Sequence, residues 1–267
     1  MRDAICLYFR YVGVSLRSQM QYRASTIMST LGLLLLTGLE FLIIWSLFDR
    51  FGRLPGWSLP QVALLYGMTN VAFGTTESLA RGFAEFPPMI KGGDLDRILL
   101  RPRSVAFQVL AQRLLIARFG RVLQGAVVLG WGIANVEIAW TLPKAALLLV
   151  SMVSGVCIFM SLFILRATLA FFTIESLEIM ATLTYGGVEA TQYPLSIYTQ
   201  SFRRFFLFVV PLGCMNFLPV LAVTDRTAEF GVPAVAPWLA PLAGPVFLLV
   251  TLRIWGFGIH HYHSTGS

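Results

Sequence analysis

Charge is scarce in this chain. Only 12% of its 267 residues are Asp, Glu, Lys or Arg, whereas soluble domains carry about 25%. Lysine occurs twice, at Lys91 and Lys144. With 57% hydrophobic residues and a mean hydropathy of +0.74, too little polar surface remains to coat a soluble core, so the bilayer is the expected solvent. Cysteine is thin as well. Cys6, Cys157 and Cys214 are odd in number, widely spaced and set in apolar surroundings, which gives no disulfide framework and no metal site. The histidines His260, His261 and His263 cluster at the end of the chain without Cys or acidic neighbours, so no metal centre is expected there. A G-x-x-x-x-G-K-[ST] phosphate loop, an H-E-x-x-H zinc pattern and a G-x-S-x-G elbow are all missing. ATP hydrolysis by the phosphate-loop route is thereby excluded, and an enzyme would lack its catalytic constellation.

What the chain does have is long apolar runs. A membrane-crossing helix needs about 20 mainly apolar residues, and six such spans are predicted. They cover about 26–48, 60–80, 119–139, 144–171, 172–192 and 236–258. The second carries Thr69, Asn70, Thr75, Thr76, Glu77 and Ser78, so it should face protein or a cavity rather than lipid. The fifth is the least secure, because Glu175, Glu178 and Glu189 fall within it. Between the fifth and sixth spans, residues 193–226 are interrupted by Pro194, Pro211 and Pro219. A continuous helix is not expected there; broken helices that enter and leave the same face fit better, given protein to cover their freed backbone groups. Small-residue pairs at Ser151/Gly155 and Ala240/Gly244 permit close helix approach.

The net charge of +7 and pI near 9.7 are explained by where the basic residues lie. Arg2, Arg10, Arg17 and Arg23 precede the first span, and Arg81, Lys91, Arg97, Arg101, Arg103, Arg113, Arg118 and Arg121 lie between the second and third. An excess of Arg and Lys retains loops in the cytoplasm, so both segments, and with six spans both termini, are expected on that side of the membrane. No nucleic-acid partner is expected. Arg50, Arg53, Arg203 and Arg204 fall on the outer side and run against the pattern. No secretory signal peptide is predicted. Residues 1–25 instead form a rough amphipathic helix, with Ile5, Phe9, Val12, Leu16 and Met20 at helical spacing, suited to the inner membrane surface or serving simply as a basic topogenic segment.

One cytoplasmic stretch, within 85–105, has internal punctuation. Pro87-Pro88 and Gly92-Gly93 end one helix, Asp94 is placed to cap another, and Pro102 stops it after about two turns. The result would be a short helix with charged ends and an apolar Leu95/Ile98/Leu99 side. Such an element suits docking into a groove on a soluble partner; the alternative is a loop helix lying on lipid headgroups.

The run GGDLDRILLRP at 92–102 resembles the G-x-[LF]-D-x-x-L-x-R-P signature of the single-domain, six-helix permeases of bacterial ABC transporters of the ABC-2 class. The ending from Trp255 to Ser267 resembles that subgroup's W-x-x-G-x-x-x-Y-x-S-x-G-S terminus. Tyr193-Pro194, followed by a proline-broken segment with Pro211 and Asn216 to Pro219, is similar too. The resemblance covers the whole chain in length, span order and loop placement. It implies an all-α, polytopic, non-catalytic subunit in the bacterial cytoplasmic membrane. This subunit would pair with a second permease, the same or a related chain, and with two ABC ATPase subunits that bind ATP and Mg; no cofactor is implied in this chain. Export is implied as the direction. Gly93, Asp94, Asp96, Arg97, Leu100, Arg101 and Pro102 take the positions of the family's ATPase-coupling element, and residues 193–226 those of its re-entrant outer helices.

Glu40 and Glu77 lie inside apolar helices. A carboxylate is costly there and so marks a functional-site candidate, for pairing with Arg113 or Arg118, for recognising a cationic substrate, or for a protonated helix contact. Together with Arg203 and Arg204 they are the candidate pathway residues. An ion- or proton-coupled carrier using Glu40, Glu77, Glu175 and Glu178 is the alternative to an ATP-driven one.

Overall fold

The computed structural model describes residues 2–52, 54, 56–173 and 177–262. Its helices in chain order are α1 (Arg2–Gln21), α2 (Arg23–Phe51), α3 (Leu59–Leu79), α4 (Arg81–Ala84), α5 (Phe86–Lys91), α6 (Asp94–Leu99), α7 (Val105–Ala111) and α8 (Phe119–Asn135). They continue as α9 (Leu142–Leu169), α10 (Leu177–Thr191), α11 (Gln200–Arg204), α12 (Phe217–Val223), α13 (Ala236–Leu239) and α14 (Ala243–His260). The described residues form no strand beyond a single bridge between Leu54 and Trp57. Arg53, Glu175, His263 and the remainder of the C-terminal motif from Ser264 to Ser267 lie outside the described residues, so the expectations placed on them are not met by any structural observation.

Polar residues set α3 at the centre. Thr69, Asn70, Thr76, Glu77 and Ser78 are all buried, because a side chain that lipid cannot solvate must find protein. The helix begins where Ser58 N donates to Gln61 Oε1 at 3.1 Å and proline stands in the first turn, where its missing N–H costs nothing. Glycines bring α3 and α8 into backbone contact. A Cβ on Gly67 would stand 2.8 Å from the Leu129 Cα, and one on Gly125 would stand 2.9 Å from the Asn70 Cβ. Neither small-residue pair singled out in the sequence lies on this seam. Gly244 packs on Ser154, whose Oγ accepts from Gly244 N at 3.1 Å, whereas Gly155 meets Ala72 of α3 and Met215.

Three helices among the described residues are long and apolar enough to cross a membrane: Arg23–Arg50, Leu142–Leu169 and Ala236–His260. Two bent pairs qualify jointly, Val105–Ala111 with Ile116–Asn135 at 74° and Gln200–Val209 with Leu212–Val223 at 79°. Length and apolarity therefore account for at most five spans, not six. α3 falls outside this count, its polar side being shielded by protein. α10, with 15 described residues, is short.

The second bent pair matches the broken segment expected at 193–226. The chain turns at Pro211, which follows an extended Val210, and Asn216 fastens the segment beyond the bend. Its Nδ2 donates to Thr69 Oγ1 at 2.9 Å and to the Thr191 carbonyl at 2.6 Å, while its Oδ1 accepts from Phe217 N at 2.6 Å and caps α12. Backbone groups that a broken helix frees are thus met by protein. Trp57 anchors the same hairpin, with Nε1 donating to Ser196 Oγ at 2.9 Å and its ring 6.0 Å from that of Phe217. One end of the bundle therefore carries 56–58, 136–141 and 224–235, and the other carries α1 and 80–118.

Candidate functional site

At the second end, α4 to α7 form a compact cap on the bundle. Gly93 has φ 73° and is the N-cap of α6, a left-handed position that glycine enters without strain. Asp94 is consequently the first helical residue and not the cap, as its place in the sequence had suggested. Its carboxylate makes no capping bond and instead faces Arg97 at 3.7 Å, with both side chains largely exposed. Such a surface pair is worth little in stability. The apolar side of α6 is also corrected. Leu95 is 1% exposed and Ile98 6%; both are sunk into the chain's own core, so they anchor the helix and offer nothing to a partner. The outward surface consists of Arg97, Leu99, Leu100, Arg101 and Pro102, with Leu100 85% exposed. α6 stops at Leu99 because Pro102 keeps Arg101 out of the helical region.

Beneath this surface lies an aromatic cluster. The Trp255 ring is 5.3 Å from Phe83, 5.0 Å from Phe86 and 5.3 Å from Phe171, and Tyr262 joins through Phe171 at 6.1 Å. Tyr262 brings the two sequence signatures together. Its hydroxyl is buried without a hydrogen bond of standard geometry, yet it lies beside Asp96, and burial first and that carboxylate second push the phenol pKa up. Asp96 thus faces the end of the last helix. Nothing in the 92–102 run announced this, since the contact is made 166 residues further on (96 to 262).

α1 is strapped to the same end. Ser15 Oγ donates to the Leu114 carbonyl at 3.0 Å, Gln19 Nε2 donates to it at 2.5 Å, and Gln19 Oε1 accepts from Ile116 N at 3.0 Å. Arg101 Nη1 donates to Tyr11 Oη at 3.2 Å. The side of α1 with Tyr11, Ser15 and Gln19 meets protein, whereas Arg10, Val14, Leu16, Arg17 and Met20 stand exposed.

Within the bundle each candidate carboxylate faces an arginine. Glu77, 2% exposed, is 3.3 Å from Arg118, one of its two expected partners. Glu40 is 4.0 Å from Arg121, not from Arg113 or Arg118, and Arg113 pairs with Glu85. The register of α2 against α8 decides this, since Gly120 sits against the Thr30 carbonyl. Arg121 also lies over the Phe73 ring at 5.2 Å, and Glu189 of α10 is within electrostatic reach of both Glu40 and Arg121. The sequence reading passed over Arg121, having grouped it with the basic loop.

Arg203 and Arg204 lie on α11 in the broken segment. Arg203 Nη2 donates to the Ser196 carbonyl at 3.2 Å, bracing the turn before it, and Arg204 is exposed. They do not join Glu40 or Glu77. Farther along, Arg226 forms a clasp: its guanidinium lies 4.8 Å from the Trp57 ring and 5.2 Å from that of Phe230, and it donates to both oxygens of Glu229 at 2.7 and 2.8 Å. Trp57, Arg226 and Glu229 edge a cavity of about 590 Å³ that also reaches Gln61 and Glu137. No sequence motif marked it.

Neither curated proteins nor solved structures yield a match. A family model described as ABC-2 family transporter protein matches residues 34–266. That match spans most of the chain, and the chain belongs to the ABC-2 family, whose members are the membrane permease components of ABC transporters.

Proposed function

We propose that this chain is the permease of an ATP-driven exporter, inserted with six spans in the bacterial cytoplasmic membrane, with both termini and the 80–118 cap in the cytoplasm. A second permease, the same or a related chain, completes the substrate path, and two ABC ATPase subunits binding ATP and Mg supply the energy. The observation that carries this reading is the division of α6. Leu95 and Ile98 are locked into the core while Arg97, Leu100 and Arg101 stand outside it. A force applied to the outer residues is thereby passed to the aromatic cluster at the foot of α9 and α14. Gly93 and Asp96 shape and hold this element, while Asp94 and Pro102 stand exposed at its two ends. The faces bearing Glu40, Glu189 and Arg121 would line the path, with Arg203 and Arg204 near its outer end. In the carrier alternative Glu40 and Glu77 would bind the coupling ion, and each already has an arginine opposite it, at 4.0 and 3.3 Å respectively.

The test is co-purification. The chain alone hydrolyses no ATP, and ATPase subunits travel with it through affinity purification. The double variant Arg97→Glu with Leu100→Asp, which reverses a charge and puts a hydrated carboxylate in place of the exposed apolar tip, reduces their recovery at least about tenfold while the chain still inserts, the size expected when central contacts of an interface are lost. Unchanged recovery of ATPase subunits by this variant would sink the assignment.

A further inference from the structure

Residues 99–104 are all exposed, and what brackets this turn is one buried amide. Gln108 of α7 is 6% exposed. Its Nε2 donates to the Ile98 carbonyl at 3.2 Å and to the Arg103 carbonyl at 3.1 Å, on either side of the turn. Rotated end for end, the amide would set its oxygen against two carbonyl oxygens, so the network fixes its orientation. The other half of the amide gains nothing, because Oε1 is buried with no hydrogen-bond partner. An apolar side chain of the same length would bury no unpaired oxygen, so this glutamine adds little net stability and contributes position. The helix that carries it is itself firmly seated, since a Cβ on Gly82 of α4 would stand only 1.8 Å from the Val109 carbonyl oxygen.

We propose that Gln108 is a positioning residue, tying together the two ends of the turn so that Leu100 and Arg101 reach the ATPase already in their docked arrangement. This rests on the reading of that turn as the ATPase-facing surface. A segment ordered in advance has less freedom to lose on docking, and apparent affinity scales with the fraction of molecules already in the binding shape. Ile98 and Arg103 contribute through their main chains, so no side-chain pattern within 92–102 could have pointed to Gln108.

The experiment uses the full-length chain in detergent, titrated with its co-purifying ATPase subunits. Gln108→Met keeps length and removes both donors; Gln108→Asn keeps donors on an arm too short for both carbonyls. The expected result for Gln108→Met is faster hydrogen–deuterium exchange across 99–104 and a loss of ATPase affinity of about tenfold, with an unchanged melting temperature. Gln108→Asn falls between. Full affinity in Gln108→Met overturns the proposal, and so does a loss of affinity matched by a loss of melting temperature, which would mark a purely structural role. The Arg97→Glu, Leu100→Asp variant serves as reference. If it binds ATPase normally, the docking reading and this proposal fail together; if it fails to bind while Gln108→Met binds fully, only the positioning role is lost.

Discussion

Gly244 and Gly130 are both helical glycines, and the space around them separates their roles. A Cβ on Gly244 would stand 2.3 Å from the Ser154 carbonyl oxygen, a backbone atom that cannot swing aside, while Gly130 has nothing within 4 Å. Gly244→Ala should therefore force α14 away from α9 and destabilise the chain by about 1–3 kcal/mol, as overpacking does. Gly130→Ala removes backbone entropy from the unfolded chain and should be neutral or stabilising by about 0.5–1 kcal/mol. Thermal unfolding in detergent compares the two; equal effects would show that α9 and α14 do not pack this closely. Asn216 works by the opposite means, joining α3, α10 and α12 through polar atoms in a dry interior, where such bonds are strong when satisfied.

At the scale of elements, the 224–230 clasp can be dissected by pH. Hydrogen bonding from Arg226 holds the Glu229 carboxyl below the usual carboxylate range. A depressed pKa in the folded state adds stability above the unfolded value, near about 4.3, and that contribution disappears as pH falls through the folded value. Glu229→Gln should accordingly melt lower than the unaltered chain at neutral pH, and the difference should shrink to nothing on acidification below the carboxylate range. A gap that persists at pH 3 or grows on acidification would contradict the pairing. Glu229 is exposed, so the effect is small and falls with added salt. α6 teaches a related lesson about capping. Asp94 has the chemistry of an N-cap, but Gly93 can enter the left-handed region and Asp94 enters it only with strain, so the cap moved back by one residue. The apolar stripe of α6 was legible, but not which way it faced, because an apolar face says only that something covers it, and here α6 packs against α5 and α7 of its own chain.

For the whole molecule, the two ends of the bundle should lie on opposite sides of the membrane. With Cys6, Cys157 and Cys214 replaced by serine, Arg103→Cys and Glu229→Cys should react with a membrane-impermeant maleimide from opposite faces of sealed vesicles, Arg103→Cys from the cytoplasmic one. Labelling of both from a single face would overturn the arrangement of the cap and the clasp. The sequence by itself determined the membrane setting, the boundaries of α2, α3 and α9 to within a few residues, the break within 193–226 and the family. These follow from composition, from runs of apolar residues and from local breakers, all of which act over neighbouring positions. Only the tertiary structure decided that Glu40 meets Arg121, that Asp96 lies beside Tyr262, that Gln108 brackets the exposed turn and that Arg226 sits between Trp57 and Phe230. Glu40 and Arg121, Asp96 and Tyr262, and Trp57 and Arg226 stand far apart in the chain, and Gln108, though near its partners in sequence, meets them only through the packing of α7; such contacts depend on what two faces do to each other, which neither face carries alone.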